Sequence, residues 1–277
     1  MTQQISKHMA PMEEMLDRAG GVDERRPGHC EKHGDFIDAH FSGKGAVKQA
    51  GWQGCPTCLS EAAAERNRTE ERERQAAMYR ERVERIVQKS GIPLRFMGKT
   101  FENFQAVNQK AEKHLAKLQG YAELVSGNDH EGRCLLMLGK VGNGKTHLGC
   151  ALLAKTIRAT GEFCAYWTFA ELVREVKGSF SKSAQHSEQD VYDDFARPRL
   201  VVLDEVGIQN FTEFEQAVAY EAINARYLSE KPTVLISNLQ AKDLPHCVGE
   251  RVVDRLREGG GKALDFDWKS YRQGGAA

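Results

Sequence analysis

The sequence predicts an α/β fold, a parallel sheet with helices on both faces, preceded by a small metal-binding segment. From about residue 94 to 272, short apolar runs alternate with helix-forming stretches, as in βαβ units. The runs are residues 134–138, 164–168, 200–203, 233–236 and 263–266. The sequence GKVGNGKT, which follows the first run directly, and a Cys- and His-containing stretch near the N-terminus complete the prediction.

Composition limits the classes of protein that this chain could be. Its 277 residues suffice for one large domain and a small appendage. The formal net charge is zero, so any contact with nucleic acid must come from local basic patches. The N-terminus lacks the apolar core of a secretory signal, and no window approaches the roughly 18 apolar residues that a membrane helix requires. We therefore expect a cytoplasmic protein with no membrane partner.

The N-terminal 60 residues are predicted to be a zinc-binding module. Two pairs, Cys30-x-x-His33 and Cys55-x-x-Cys58, supply four ligands of the kind that tetrahedral Zn²⁺ prefers. A segment this small cannot bury a sufficient core, so metal binding would supply folding free energy. His33 is the least certain ligand, because His29 and His40 could replace it. The alternative is that the second pair is a surface Cys-x-x-Cys or a redox dithiol and that His33 is incidental. The leader, residues 1–28, is compatible with a short helix along Met9, Met12 and Met15 or with disorder.

Residues 61–92 are predicted to form a linker helix. Residues 61–89 contain neither Pro nor Gly and are dominated by strong helix formers, and Gly91-Ile92-Pro93 ends the pattern. The interspersed positive and negative charges favour an exposed connector over a nucleic-acid-binding arm.

The glycine-rich run is predicted to be a phosphate loop, since it lies between a strand and a helix and fits G-x-x-x-x-G-K-[ST]. Its glycines allow a tight turn whose N–H groups face phosphates, and the helix presents its positive end to the same anion. Lys145 would contact the β- and γ-phosphates of ATP, and the Thr146 hydroxyl would ligate Mg²⁺. The predicted nucleotide-binding residues are Gly139, Gly142, Asn143, Gly144, Lys145, Thr146 and His147.

Polar residues follow two of the apolar runs and complete a predicted ATPase site. Asp204 and Glu205 follow residues 200–203, at the edge where open α/β sheets bind ligands. Asp204 would hold Mg²⁺ with Thr146, and Glu205 would polarise the attacking water. Asn238, after the next run, would orient that water or sense the γ-phosphate; a turn-forming role at the strand end is the alternative.

Arg251 and Arg255 lie one helical turn apart in the segment GERVVDRLREGG and are therefore on one face. One interpretation is that an arginine reaches the γ-phosphate site of a neighbouring subunit and stabilises charge in the transition state. An equally supported one is a surface ion-pair network with Asp254 and Glu258.

These motifs together resemble the DnaC/IstB-like branch of the AAA+ ATPases, in particular its phage-type helicase loaders. The resemblance covers residues 90–273 and rests on GKVGNGKTHL, RLVVLDEVGIQ, TVLISNL, GERVVDRLREGG and FDWKSYR, in that order. It implies a five-stranded AAA+ ATPase domain at residues 93–277. It also implies that Arg255 is the arginine finger, with Arg251 as the runner-up, and that Arg272 is the second sensor.

The resemblance further implies binding to the hexameric replicative helicase and to single-stranded DNA, with assembly into an open spiral. The N-terminal region would engage the helicase. For DNA contact we nominate residues 208–214, with Phe211 or Phe214 stacking on a base, although both are equally compatible with the core. Lys177 and Lys182 are weaker candidates.

Three other functions are compatible with parts of this pattern. An IstB-like ATPase helper of a transposase shares the fold. A small-molecule kinase shares the phosphate loop, but the acidic pair and Asn238 disfavour it. A zinc-dependent nucleic-acid adaptor with a merely structural nucleotide would tolerate Lys145→Ala.

Overall fold

The computed structural model describes residues 22–42, 50–127, 130–207, 211–258 and 261–270. The chain divides into two compact units, one up to Tyr79 and one from Arg80. The boundaries predicted at residues 60/61 and 92/93 stay predictions. The helix proposed along Met9, Met12 and Met15, and the proposed second sensor Arg272, lie outside the described residues.

The N-terminal unit contains a small antiparallel sheet, which the sequence pattern did not reveal. Strands β1 (Val22–Cys30) and β2 (Gly34–Phe41) form a hairpin, and β3 (Gly51–Trp52) pairs with β2. The aliphatic and aromatic side chains buried in this sheet are few, namely Ala39 and Phe41. The buried Asp38 carboxylate accepts hydrogen bonds from Arg26 Nη2 (3.0 Å) and from the Gly54 amide (2.7 Å). It thereby ties the sheet to the loop that carries Cys55.

Helix α1 (Pro56–Lys89) is the predicted linker helix, and it begins five residues earlier than predicted. Pro56 is well suited to the first position of the helix, because an N–H in the first turn would have no intrahelical acceptor and proline has none to satisfy. Near its C-terminal end Val83 and Val87 are buried among the apolar residues of the second unit. Gly91, with φ of +79°, then redirects the chain.

The second unit is built on a five-stranded parallel sheet, as predicted. Its order is β5-β6-β7-β4-β8. The strands are β4 (Leu135–Leu138), β5 (Ala165–Thr168), β6 (Val201–Val206), β7 (Thr233–Ser237) and β8 (Lys262–Asp265). Most ends agree with the prediction to within one residue, but β6 runs three residues further and includes the acidic pair.

Helices cover both faces of this sheet. They are α2 (Gln109–Ser126), α3 (Lys145–Thr160), α4 (Phe169–Ser179), α5 (Glu188–Ala196), α6 (Glu213–Leu228), α7 (Leu244–Val248) and α8 (Glu250–Arg257). Leu135 and Met137 of β4 are buried with α2 and α3, whereas Leu136 and Leu138 are buried with residues of α4, α5 and α6. This alternation explains why the central strand reads as a continuous apolar run. Within the described parts of the chain, no helix is long and apolar enough to cross a bilayer.

Candidate functional site

The glycine-rich run forms a tight loop between β4 and α3, as a phosphate loop requires. Gly139, Gly142 and Gly144 have φ of +121°, +84° and +86°, which L side chains rarely adopt. A side chain at Gly144 would also place its Cβ 2.6 Å from the ring of Phe104. The three glycines are therefore required both by the turn and by close packing around it.

Lys145 is buried at the start of α3, with its side chain folded onto the loop. Its Nζ donates hydrogen bonds to the carbonyl oxygens of Gly139 (2.5 Å) and Lys140 (2.7 Å). Burial lowers the pKa of the ammonium to about 8, against the opposing effect of the negative charge of Asp204. A buried cation whose hydrogen-bond acceptors are neutral carbonyls is well suited to an anionic ligand, which would stabilise its charge.

Asp204 is the buried acceptor at the centre of the site. Its Oδ2 accepts hydrogen bonds from Thr146 Oγ1 (2.7 Å) and from the Tyr166 hydroxyl (2.9 Å). Its Oδ1 accepts from the Glu205 amide at 2.6 Å. The structure thus brings the two predicted Mg²⁺ ligands, Thr146 and Asp204, into contact beside Lys145. A hydroxyl and a carboxylate oxygen are ligands that Mg²⁺ prefers, so the residues present fit this ion together with the phosphates of a nucleotide.

Glu205 is exposed, unlike the neighbouring Asp204, and the strand is irregular at that position. The pairing of β6 with β7 shifts register between Leu203 and Val206, and Glu205 has φ of +61°. Such a bulge redirects side chains and is frequent beside active sites. Glu205 is exposed, and the exposed Asn238 follows the end of β7, the neighbouring strand. Both predicted residues therefore lie at the same edge of the sheet as Asp204.

Asn143 and His147, predicted to bind nucleotide, have hydrogen-bond partners within the protein. Asn143 Nδ2 donates to the carbonyls of Phe266 (2.6 Å) and Trp268 (2.7 Å), which attaches the loop to the chain beyond β8. His147 Nε2 lies 2.9 Å from the Thr100 carbonyl oxygen, and its ring is 5.3 Å from that of Phe104. These contacts position the loop, so a direct contact of either side chain with nucleotide stays a prediction.

The sequence interpretation did not identify Phe104 and Tyr166 as parts of this site. Phe104 belongs to a segment without strand or helix periodicity. Tyr166 lies within an apolar run that predicts only a strand, and nothing in that run indicates which hydroxyl faces a carboxylate.

Arg251 and Arg255 of α8 differ in their surroundings. The Arg255 guanidinium lies 4.3 Å from the centre of the Tyr227 ring and donates to Glu258 Oε2 at 3.1 Å. Part of the predicted ion-pair network is therefore present. Arg251 is exposed, and the structure records no hydrogen bond or ion pair between it and the other described residues. Its free guanidinium keeps it a candidate for a contact with another subunit.

The N-terminal cluster has the geometry of a tetrahedral metal site. The ligand atoms of Cys30, His33, Cys55 and Cys58 all lie within 4.8 Å of one another. The distances from His33 Nδ1 to the sulfurs of Cys30, Cys55 and Cys58 are 3.8, 3.6 and 3.3 Å, and the Cys30 and Cys58 sulfurs are 3.6 Å apart. Zinc bonds of about 2.3 Å to sulfur and about 2.0 Å to nitrogen give tetrahedron edges of roughly 3.5–3.8 Å. The cluster could therefore hold Zn²⁺.

Neighbouring groups support this set of ligands. His33 Nε2 is 3.2 Å from a carboxylate oxygen of Glu61, an arrangement that fixes the tautomer of a metal-binding histidine. Hydrogen bonds from the backbone N–H groups of His33 and Lys32 lower the pKa of Cys30 to about 6, favouring the thiolate that metals require. The alternative ligands point elsewhere, since His29 pairs with Asp35 and His40 with Asp23.

The aromatic residues nominated for DNA contact are half-buried. The Phe211 ring stacks on Phe169 at a centroid distance of 4.4 Å. Phe214 lies near the exposed Phe180. Lys177 Nζ is 5.4 Å from the centre of the Phe214 ring. Residues 208–210 lie outside the described parts of the chain.

Comparison with known proteins identifies the family of this chain. Residues 62–256 match the family model of the IstB-like ATP binding protein. The replicative helicase loader DnaC of Buchnera aphidicola subsp. Acyrthosiphon pisum is 31% identical over 192 residues, which cover 69% of this chain and 76% of the relative.

Two solved structures have the same fold as the second unit. The crystal structure of the DnaC helicase loader has a TM-score of 0.55 at 22% identity and covers 62% of this chain and 99% of the other. The replication initiator DnaA bound to AMPPCP and single-stranded DNA has a TM-score of 0.53 at 21% identity, covering 64% and 51%. The chain belongs to the IstB/DnaC-like family of AAA+ ATP-binding proteins.

Proposed function

We propose that this chain loads the hexameric replicative helicase onto single-stranded DNA and that ATP binding and hydrolysis switch its affinity for both partners. The observation that carries the proposal is the contact of Thr146 with Asp204 beside the buried Lys145, in a chain about 30% identical to proteins named replicative helicase loaders. A loader acts where the chromosome replicates, so we place the protein in the cytoplasm.

In this proposal the residues of the site divide the work of ATP hydrolysis. Lys145 binds the β- and γ-phosphates in place of the Gly139 and Lys140 carbonyls. Thr146 and Asp204 hold Mg²⁺, which when bound neutralises charge on those phosphates. Glu205 accepts a hydrogen bond from the attacking water, and Asn238 orients that water from the adjacent strand end. The exposure of both side chains leaves room for solvent and substrate between them.

The two partners would bind different parts of the chain. The zinc module would supply a rigid surface for the helicase, because a bound metal ion stabilises a small sheet that has only a small hydrophobic core. For DNA we favour Phe214 with Lys177 over Phe211, whose ring is already stacked on Phe169. An aromatic ring beside an ammonium group combines base stacking with attraction for phosphate. A spiral of several subunits would extend this contact along the strand.

Co-purification tests the proposal. The tagged full-length chain is mixed with the replicative helicase of its host in ATP, in ADP and without nucleotide. We expect the amount of helicase retained to depend on the nucleotide, and Lys145→Ala to remove that dependence because it removes the phosphate-binding cation. Equal retention in all three conditions would contradict the switch, and no retention at all would contradict the loader. Full loading activity by Lys145→Ala would favour the zinc-dependent adaptor.

The second candidate is an IstB-like ATPase helper of a transposase, which the description of the matching family model favours. Such a helper would bind and remodel duplex DNA rather than a helicase. Electron microscopy of the chain with ATP and duplex DNA separates the two functions. Stable filaments on duplex DNA, together with absent helicase binding, would favour the helper.

A further inference from the structure

Tyr166 is a buried residue that makes contact with the predicted magnesium site from outside the known motifs. It lies on β5 and is 8% exposed. Its hydroxyl donates to Asp204 Oδ2 at 2.9 Å, and the same oxygen accepts from Thr146 Oγ1 at 2.7 Å. Together with the bond from the Glu205 amide to Oδ1, this gives Asp204 hydrogen bonds on both of its oxygens.

The backbone of Tyr166 is held by neighbouring chain segments on both sides. On one side it aligns with Val202 of β6 in parallel register. On the other, its N–H donates to the Ser90 carbonyl at 2.7 Å, where the chain leaves α1. At the adjacent Gly91, a Cβ would lie 2.6 Å from the Tyr166 carbonyl oxygen. The close packing of this turn leaves β5 little freedom to move relative to Asp204.

We propose that Tyr166 is a positioning residue for Mg²⁺-dependent nucleotide binding, a role that rests on the proposed ATPase function. When the Thr146 oxygen ligates Mg²⁺, its hydroxyl can still donate a hydrogen bond to Asp204 Oδ2. The Tyr166 hydroxyl donates to the same oxygen from β5. Without the phenol, Asp204 would keep only the hydrogen bonds from Thr146 and from the Glu205 amide, would be oriented less firmly and would bind the cation less tightly. Hydrogen-bond partners of metal ligands have this effect in other sites, where their removal costs 10–100-fold in metal affinity or activity.

The test is the binding of a fluorescent ATP analogue to the full chain while Mg²⁺ is titrated. Tyr166→Phe keeps the ring and removes the hydroxyl, so the fold should persist, and its melting temperature checks this. We expect the half-saturating Mg²⁺ concentration to rise about tenfold or more, with binding in the presence of a chelator unchanged. Tyr192→Phe is the matched control, since it also removes a buried phenol that donates to a carboxylate, Glu188 Oε1 at 3.1 Å, on helix α5.

The outcomes separate this proposal from the function on which it rests. An unchanged Mg²⁺ dependence of Tyr166→Phe would overturn the positioning role while leaving the ATPase intact. Equal shifts in Tyr166→Phe and Tyr192→Phe would also overturn it, because the effect would then be general. Failure of the unmutated chain to bind the analogue at any Mg²⁺ concentration would refute the proposed function and this role together.

Discussion

Lys145 shows how one residue combines burial with charge at the nucleotide site. The residue is 6% exposed, and neutral carbonyls accept the hydrogen bonds of its ammonium group, so the charged form is less stable than in water. The residue could be predicted from the spacing of the glycines alone. Its carbonyl partners could not, because they depend on how the loop closes around the side chain.

The affinity for ATP should decrease above pH 8. The lowered pKa of Lys145, about 8, means that the ammonium loses its proton over this range. Bound phosphates favour the charged form, so binding takes up a proton, and affinity should fall by up to tenfold per pH unit. Isothermal titration calorimetry from pH 7 to 9.5 measures this dependence.

Lys145→Arg is the control for this prediction, since arginine keeps its charge throughout the range. Its affinity, even if lower, should not depend on pH between 7 and 9.5. A flat profile for the unmutated chain would show that Lys145 stays charged without ligand. The lowered pKa of Lys145 also affects folding, because the same lysine in the unfolded chain titrates near 10.4. Between pH 8 and 10.4 the unfolded state therefore binds more protons than the folded state, and the contribution of this residue to the free energy of unfolding rises with pH.

At the scale of elements, the strands of the parallel sheet were predictable and the N-terminal hairpin was not. A strand such as β4, whose four residues are all buried, reads as an apolar run. Most residues of β1 are exposed, and charged side chains interrupt any alternation along it. Cys30 ends β1, His33 lies in the hairpin turn and Cys58 lies in the first turn of α1. The spacing of the ligands therefore indicated a metal site in a segment whose hydrophobic periodicity indicated no regular structure.

The folding of the N-terminal unit should depend on zinc, whereas that of the second unit should not. Its small core makes the metal the main source of folding free energy. We expect one zinc per chain by elemental analysis, and its loss in Cys55→Ser. Thermal unfolding of that variant should lose an N-terminal transition and keep the transition of the second unit.

Cys134→Ser is the control for the zinc prediction, because it replaces a partly buried cysteine outside the cluster. It should retain one zinc. A preparation without zinc, in which Cys55 and Cys58 react freely with thiol reagents, would instead support the redox alternative.

At the scale of the whole molecule, the proposed ATPase site has no arginine bonded to its central residues among the described parts of the chain. The hydrogen bonds that the structure shows for Lys145, Thr146 and Asp204 involve no arginine among those residues. Charge on the γ-phosphate in the transition state needs such a group. The sequence predicts that an arginine of α8 would supply this group from a neighbouring subunit.

Mixing variants tests whether Arg255 acts on a neighbouring subunit. Arg255→Ala should bind ATP and lose hydrolysis by about 10³-fold or more, whereas Lys145→Ala should not bind ATP. An equimolar mixture should regain activity, because Lys145→Ala subunits supply Arg255 to intact sites of the other variant. Arg251→Ala, one turn away on the same helix, is the control. If Arg251→Ala loses hydrolysis instead, the exposed arginine is the finger, and if neither does, the pairing of Arg255 with Glu258 and Tyr227 is its role.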